Sequence, residues 1–104
     1  MTLSTHVLDT ARGLPAAGVP VRLEDHLGTL VAEGRTDGDG RLRDWVPAER
    51  WLPGTYRLVF DTAAHLGPEA FFPEVSVVFT VVDGAHLHVP LLLSPFGYST
   101  YRGS

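Results

Sequence analysis

The sequence predicts an all-β fold, a two-sheet antiparallel β-sandwich with one short helix. Segments in which apolar residues occupy every second position recur along the chain, and their spacing of about 8–12 residues is typical of a sandwich or barrel. Gly and Pro, which number 11 and 8 among the 104 residues, separate these segments. We therefore expect about eight strands in a single domain that spans residues 1–104.

Four strands are predicted in the first half of the chain, at residues 3–9, 19–25, 29–35 and 41–44. In the first of them, Leu3 starts one face, and Ser4 and His6 lie on the other. The positions predicted to point inward in the next two strands are Val19, Val21, Leu23, Leu30 and Ala32. Turns rich in Gly and Asp connect the strands, at residues 13–18, 26–28 and 36–40.

Four more strands are predicted in the second half, at residues 54–61, 74–82, 87–93 and 98–101. Valine occurs on both faces of the 74–82 strand, so we expect both faces to be partly buried. A helix of at most about two turns is predicted before it, with Asp61 or Thr62 as the N-cap and Gly67 just past the C-terminus.

The 87–93 strand separates two kinds of side chain. Its aliphatic face is predicted to enter the core, which places His86, His88, Pro90 and Leu92 on the outer face. Because Pro90 cannot donate to a ladder, we expect an edge strand or a bulge there. An apolar outer face that carries imidazoles indicates a subunit interface that doubles as a site.

Composition excludes several classes of function. The 8 basic and 12 acidic residues give a net charge of −4, which argues against a nucleic-acid partner. There is no Cys, which excludes a disulfide scaffold and a thiolate nucleophile. No apolar run approaches the roughly 18 residues of a membrane helix, and residues 1–6 lack a signal-peptide pattern. We expect a soluble, cytoplasmic protein without a membrane partner.

His6, Arg41 and His88 are the residues best suited to chemistry, and each has a simpler interpretation. His6 fits a half-exposed strand histidine, and His88 fits a solvated residue near a turn. Arg41 fits a solvated arginine or one that pairs with Asp37 or Asp39, although its planar fork also suits a flat heterocycle. The two remaining histidines, His26 and His65, are predicted to be solvated in loops.

Metal sites are weaker alternatives. His6, His86 and His88 have a spacing that a three-histidine zinc site uses, but no carboxylate that would support the ligands is evident. The Asp-Gly-Asp-Gly turn is similar to a calcium loop, but Arg41 and Val46 stand where that loop needs ligands. We expect no metal.

Three segments carry a family resemblance: Ser4-Thr-His-Val-Leu-Asp9, Thr36-Asp-Gly-Asp-Gly-Arg41 and His88-Val-Pro-Leu-Leu-Leu-Ser-Pro-Phe-Gly-Tyr-Ser-Thr-Tyr-Arg-Gly-Ser104. Together they resemble the 5-hydroxyisourate hydrolases, the transthyretin-related enzymes of urate breakdown. The closing Tyr-Arg-Gly-Ser distinguishes these hydrolases from transthyretin itself, a hormone carrier that lacks this ending and these His and Arg residues.

The resemblance implies a transthyretin-like sandwich and a homotetramer, a dimer of dimers with active sites in a channel at the dimer–dimer interface. It implies catalytic roles for His6, Arg41 and His88, and substrate binding by His6, Arg41, Tyr101 and Ser104. No metal or organic cofactor is expected. The segment from Thr62 to Gly67 is shorter than the usual helix of this family, which leaves its helical state open.

The implied reaction is hydrolytic opening of the lactam in 5-hydroxyisourate, a purine-derived small molecule. His6 and His88 would share the general-base and general-acid roles, in an order that the sequence leaves open. Arg41 would bind the substrate and stabilise the oxyanion, and Tyr101 would bind or stack on the ring. Ser104, or its terminal carboxylate, would help orient a histidine or water. The alternatives are a non-catalytic transthyretin-like carrier of a small ligand, whose channel should be apolar, and a structural β-sandwich.

Overall fold

Two β-sheets share one core in the computed structural model, which describes residues 2–103. These residues form ten strands and one helical turn. The strands are β1 Leu3–Asp9, β2 Leu14–Pro15, β3 Pro20–Asp25, β4 Leu30–Arg35, β5 Arg41–Leu42, β6 Gly54–Phe60, β7 Val75–Val81, β8 Leu87–His88, β9 Leu91–Ser94 and β10 Gly97–Thr100. The helix is α1, Ala63–Leu66, and a 3-10 turn spans Ala48–Arg50.

The sheet that carries the site is built around β1. Its strand order is β10-β9-β1-β2. Two short strands, β5 and β8, also pair with β1, so the sheet has six strands but is only four strands wide. On one side, β1 pairs antiparallel with β2 and β5, and on the other side it pairs in parallel with β8 and β9. The prediction of antiparallel pairing is therefore wrong for the pairs that β1 forms with β8 and β9. The chain crosses the second sheet before it returns beside β1, and such a long connection permits parallel pairing.

The second sheet has the order β4-β3-β6-β7 and is antiparallel throughout. Its inner side chains pack against those of the first sheet in one apolar cluster. The largest fully buried residues come from both sheets and include Leu3, Leu23, Leu58, Phe60, Leu91 and Leu93. The predicted two-sheet sandwich with one short helix is confirmed.

The alternation in β1 is also confirmed. Leu3, Thr5, Val7 and Asp9 are buried, whereas Ser4, His6 and Leu8 are partly exposed. The second face of β7 was expected to be partly buried, but Val78 on that face is 59% exposed. In β4 the buried residue is Val31 and Leu30 is exposed, because the pairing register with β3 shifts at Leu23 and Glu24.

The predicted 87–93 strand is split into β8 and β9, and the predicted aliphatic core face is present on both sides of the break. Pro90 lies at the break and is buried within the chain. Because Pro has no N–H, the ladder cannot continue through it. Two side chains satisfy the carbonyls there: Thr5 Oγ1 donates to Val89 O at 2.6 Å, and Thr100 Oγ1 donates to Pro90 O at 2.7 Å.

The helical segment is linked to the first sheet by a buried hydrogen bond between His65 and Asp9. Thr62 is the N-cap of α1, and Gly67, with φ of 91°, ends it. His65 Nε2 lies 2.8 Å from Asp9 Oδ2 at the end of β1, and their side chains are only 15% and 4% exposed. The prediction that His65 is solvated is therefore wrong, because the helical turn directs its ring toward a buried carboxylate.

Replacing Asp9 with asparagine should lower the free energy of unfolding by about 1–3 kcal/mol at pH 7. Burial, the largest single influence, raises the pKa of Asp9, but the hydrogen bonds from His65, Arg12 and Ala11 outweigh it, so the pKa is lowered. The ionised carboxylate therefore stabilises the fold above the ordinary Asp pKa of about 3.9, and this contribution is lost as the pH falls through the lowered value.

Urea unfolding of both proteins at a series of pH values tests this. The difference in free energy of unfolding between wild type and Asp9→Asn should become smaller below about pH 4. Asp61→Asn is a matched control, because Asp61 is exposed. Equal stabilities of Asp9→Asn and wild type at pH 7 would contradict the assignment.

No helix in residues 2–103 has the length and apolar character needed to cross a membrane.

Candidate active site

Three residues predicted to carry chemistry meet on the outer face of the first sheet. His6 lies on β1 and is the register partner of Arg41 on β5, while His88 on β8 is the register partner of Ser4. Ser4 and His6 are two residues apart, so they share a face at a spacing of about 6–7 Å. Arg41 and His88 thus flank the same face of β1 from its two sides.

His6 is held in one tautomer by a backbone carbonyl. Its Nε2 lies 2.8 Å from the carbonyl oxygen of Asp39, in the turn before Arg41. A carbonyl oxygen only accepts hydrogen bonds, so Nε2 carries the proton and donates. In the neutral ring the free lone pair is therefore on Nδ1, and that nitrogen is the one through which His6 can act as a base.

Arg41 is positioned by the turn that precedes it. The Asp37 carboxylate accepts the backbone N–H groups of Asp39 at 2.9 Å and Arg41 at 3.0 Å. Gly40 closes the turn with φ of 76°, and a Cβ built there would lie 2.5 Å from Val7 O. The alternative pairing of Arg41 with Asp37 or Asp39 is absent: no salt bridge in residues 2–103 involves the Arg41 guanidinium. Its charge is available to a ligand.

His88 is partly buried, and its environment favours the neutral imidazole. Burial is the main cause that lowers the pKa of His88. The charge of Arg41 lowers it further, followed by those of His6 and His86, against a smaller opposing hydrogen bond to the backbone of Ser4. His88 Nδ1 lies 2.8 Å from Ser4 Oγ. Nε2 is therefore the His88 nitrogen that is not bound to Ser4, and the lowered pKa favours the uncharged ring.

The C-terminal tail returns to His88. Gly103 N donates to His88 O at 2.8 Å and forms a single bridge with it. A Cβ on Gly103 would lie 2.5 Å from His88 Cδ2 and 3.2 Å from Cγ. Glycine is needed here because the tail backbone passes directly over the imidazole, and any side chain would displace the ring.

The other predicted tail residues are placed differently. Tyr101 is 58% exposed and lines an apolar groove of about 220 Å³ between the sheets. Val77, Phe79, Leu87, Val89, Thr100 and Arg102 also line it. The substrate-binding role of Tyr101 stays a prediction. Ser104 lies outside the described residues, so its role also stays a prediction.

The sequence predicted no individual role for two residues that contact His88 in the structure, Ser4 and Gly103. The signal for Ser4 was its position two residues before His6 on the same strand face. Gly103 belongs to the Tyr-Arg-Gly-Ser tail, which the family resemblance places at the site, but the motif alone does not show why this position lacks a side chain.

Among residues 2–103, no group of three or more His, Cys, Asp or Glu side chains has the spacing of a metal site. Ser4 Oγ lies between His86 Nε2 and His88 Nδ1, at 3.1 and 2.8 Å. Both of those nitrogens therefore face a hydroxyl group.

The comparison with known families agrees with the site motifs. Residues 3–103 match the model of the HIUase/Transthyretin family. The chain belongs to this family. Among curated relatives, this HIUase/Transthyretin chain is 49% identical, over 98% of its length, to the "Uric acid degradation bifunctional protein TTL" of Arabidopsis thaliana. It spans only 37% of the length of that relative. It is also 45% identical to the 5-hydroxyisourate hydrolase of Mus musculus, over 98% of the chain and 94% of the relative.

Solved structures from both branches of the HIUase/Transthyretin family are similar to this chain. Klebsiella pneumoniae 5-hydroxyisourate hydrolase superposes with a TM-score of 0.87 at 39% identity, with both chains fully covered. Sea bream transthyretin in complex with thyroxine has a TM-score of 0.90 at 31% identity, over 99% of this chain and 95% of that one. The fold alone therefore does not separate hydrolase from carrier, and the side chains of the site must do so.

Proposed function

We propose that this chain hydrolyses 5-hydroxyisourate to 2-oxo-4-hydroxy-4-carboxy-5-ureidoimidazoline, in the breakdown of urate. One observation carries the proposal: two imidazoles and one guanidinium without an ion-pair partner in residues 2–103 converge on one face of β1. A carrier of a small apolar ligand has no need of this set. The relatives named as 5-hydroxyisourate hydrolases, at 45% and 39% identity, support the same choice.

The two histidines supply both proton transfers that lactam hydrolysis requires. Water must lose a proton as it attacks the carbonyl, and the leaving nitrogen must gain one. His6 would act through Nδ1, because Nε2 is bound to the Asp39 carbonyl. His88 would act through Nε2, because Nδ1 is bound to Ser4. A neutral imidazole is the form that can accept the proton of water at pH 7, and the lowered pKa of His88 favours that form.

The charge that develops on the carbonyl oxygen is assigned to Arg41. A preorganised cation at an oxyanion lowers the barrier because its orientation is fixed before the reaction. The Asp37 turn provides that orientation through the backbone of Arg41. We further propose that Tyr101 binds or stacks on the ring and that Ser104 orients a histidine or water. These groups account for the proton transfers and the oxyanion, so the proposed mechanism uses no metal or organic cofactor.

We also propose a homotetramer, a dimer of dimers with the sites at the dimer–dimer interface. The edge strands of the two sheets, which include β7 and β10, are unpaired on one side within residues 2–103. Phe71 and Phe96 are 64% and 80% exposed, and their ring centroids are 6.4 Å apart. Exposed aromatic clusters of this kind are typical of protein interfaces. Light scattering would test the assembly.

The cytoplasmic location stays a prediction that cell fractionation would test.

A spectroscopic assay tests the function. 5-Hydroxyisourate is generated freshly from urate by a urate oxidase, and its ultraviolet absorbance is followed with and without this protein. The proposal predicts decay faster than the spontaneous rate, in proportion to the protein concentration. Decay at the spontaneous rate in the presence of folded protein would overturn it.

Gly103→Ala is expected to lower kcat by about 100-fold, the scale expected when a catalytic group is displaced by about 1 Å. The added methyl group would lie 2.5 Å from His88 Cδ2, so the ring must move. Gly97→Ala is the matched control, because its Cβ would meet only Ser94 Oγ, at 3.6 Å. Equal activity of the two variants would show that the tail does not position His88.

A further inference from the structure

Ser4 has a hydrogen-bond arrangement that the proposed mechanism does not use. Its hydroxyl lies between two imidazoles, at 2.8 Å from His88 Nδ1 and 3.1 Å from His86 Nε2. His88 and Ser4 are partly buried, whereas His86 is exposed. The three side chains therefore form a continuous chain from the nitrogen of His88 that faces away from the proposed substrate position to the solvent.

A serine hydroxyl has one proton to donate and lone pairs with which to accept. If Ser4 accepts from His88 Nδ1–H, its own proton is free to point at His86 Nε2. If the direction reverses, His86 Nε2–H donates to Ser4, and Ser4 donates to His88 Nδ1. Both directions satisfy every atom, and they differ in which ring nitrogen of His88, and which ring nitrogen of His86, holds the proton. The chain is thus a two-state element that is coupled to the tautomer of His88.

We propose that Ser4 and His86 form a proton relay that sets the tautomer of His88 and lets it exchange a proton with solvent during each proton transfer. This inference rests on the proposed function, because it assigns roles that serve the same site. Ser4 and His86 are positioning and relay residues, since neither is expected to touch the substrate.

The transfers balance in both roles of His88. When His88 acts as a base, its Nε2 takes a proton from the attacking water and its Nδ1 gives a proton to Ser4 Oγ. Ser4 in turn gives its own proton to His86 Nε2, and His86 releases a proton to solvent from Nδ1. As an acid, Nε2 gives a proton to the leaving nitrogen and the same transfers run in reverse. His88 stays uncharged in the base role and in the acid role. Its starting tautomer returns when the acid step follows the base step, or when Nε2 exchanges its proton with water in the open site.

The local charges explain why such a relay is useful. The positive charges that act on His88 within residues 2–103 are those of Arg41, His6 and His86. An imidazolium at His88 would stand close to Arg41, which the mechanism needs for the oxyanion. The relay instead passes the proton through the exposed His86 to solvent, so no positive charge builds up on His88 beside Arg41.

Ser4→Ala tests the relay. We expect kcat to fall roughly 10–100-fold, the usual scale for losing a group that orients a functional imidazole, with KM changed less than about threefold because substrate contacts remain. Ser4→Thr retains the hydroxyl and should recover most of the activity. Wild-type kcat in Ser4→Ala would overturn the proposal, and so would a Ser4→Thr variant as slow as Ser4→Ala.

His86→Gln separates proton relay from simple positioning. The amide of glutamine can still hydrogen-bond to Ser4, but it cannot carry a proton. We expect kcat to fall roughly tenfold and to recover as imidazole buffer is added, since a small base can replace the lost acceptor. His26→Gln, at an exposed turn far from the site, is the matched control and should show neither effect. A His86→Gln enzyme with wild-type kcat and no buffer dependence would overturn the relay.

A readout without turnover distinguishes failure of the relay from failure of the proposed function. In 15N NMR spectra the ring nitrogens of a histidine report its tautomer. The relay predicts that Ser4→Ala changes the Nδ1 and Nε2 shifts of His88 and removes the mutual dependence of the His86 and His88 titrations. Unchanged His88 shifts in Ser4→Ala would contradict the relay even if 5-hydroxyisourate is hydrolysed. If the His88 shifts change in Ser4→Ala but the wild-type protein does not hydrolyse 5-hydroxyisourate, the coupling between Ser4 and His88 stands and the substrate assignment is overturned.

Discussion

Replacing His88 with asparagine is expected to lower kcat for 5-hydroxyisourate hydrolysis by about two to four orders of magnitude, the usual range for an acid–base group. The amide keeps a polar group beside Ser4 but has no nitrogen that exchanges protons near neutral pH. The measurement is the initial rate of ultraviolet decay at saturating substrate, after subtraction of the spontaneous reaction.

Two controls make the His88→Asn result interpretable. Thermal unfolding should be close to that of wild type, because the side chain is only partly buried. His26→Asn introduces the same change at an exposed turn and should keep full activity. A folded His88→Asn protein with the wild-type rate would remove His88 from the mechanism and leave His6 as the sole imidazole of the site.

Arg41→Gln is expected to lower kcat by about 10²–10³, the scale for losing one donor to a developing oxyanion. The guanidinium has no salt-bridge partner in residues 2–103, so its removal leaves no carboxylate unpaired there. The free energy of unfolding should therefore change little, and the loss should appear in kcat more than in stability. Initial rates and urea unfolding of the same preparation measure both quantities.

Arg43→Gln is the matched control for Arg41→Gln. Arg43 is two residues further along, is exposed, and has no register partner on β1. Its replacement removes the same charge from nearly the same place in the chain. Equal losses in the two variants would indicate a general electrostatic effect on an anionic substrate, and would contradict a specific role for Arg41.

The sequence was sufficient for the fold wherever one face of a strand was consistently apolar. In β1, every second residue from Leu3 is buried, as the alternation predicts. The alternation does not encode strand direction, so the parallel pairing of β1 with β8 and β9 was missed. It also does not encode partners at long range. His65 was assigned to solvent because its buried partner, Asp9, is 56 residues away along the chain.

Only part of the site was predicted from the sequence, because the alternation of residues along one strand does not show which strands lie beside it. Strand parity alone placed His88 on the outer face and His6 opposite Val7, but only the family resemblance suggested that these residues and Arg41 form one site. The side chain of Ser4 and the missing side chain of Gly103 act through contacts between opposite ends of the chain. Such contacts depend on the register between strands, which residue spacing within one strand does not fix.

The central claim is that this sandwich is a catalyst and not a carrier, and turnover with substrate in large excess tests it most directly. Fresh 5-hydroxyisourate is added at about 100-fold excess over the protein, at a concentration where the spontaneous reaction is slow. A catalyst should give complete and accelerated conversion, with a rate proportional to protein concentration. Unchanged decay, or decay slowed by an amount that matches one bound molecule per site, would contradict it and would favour the carrier.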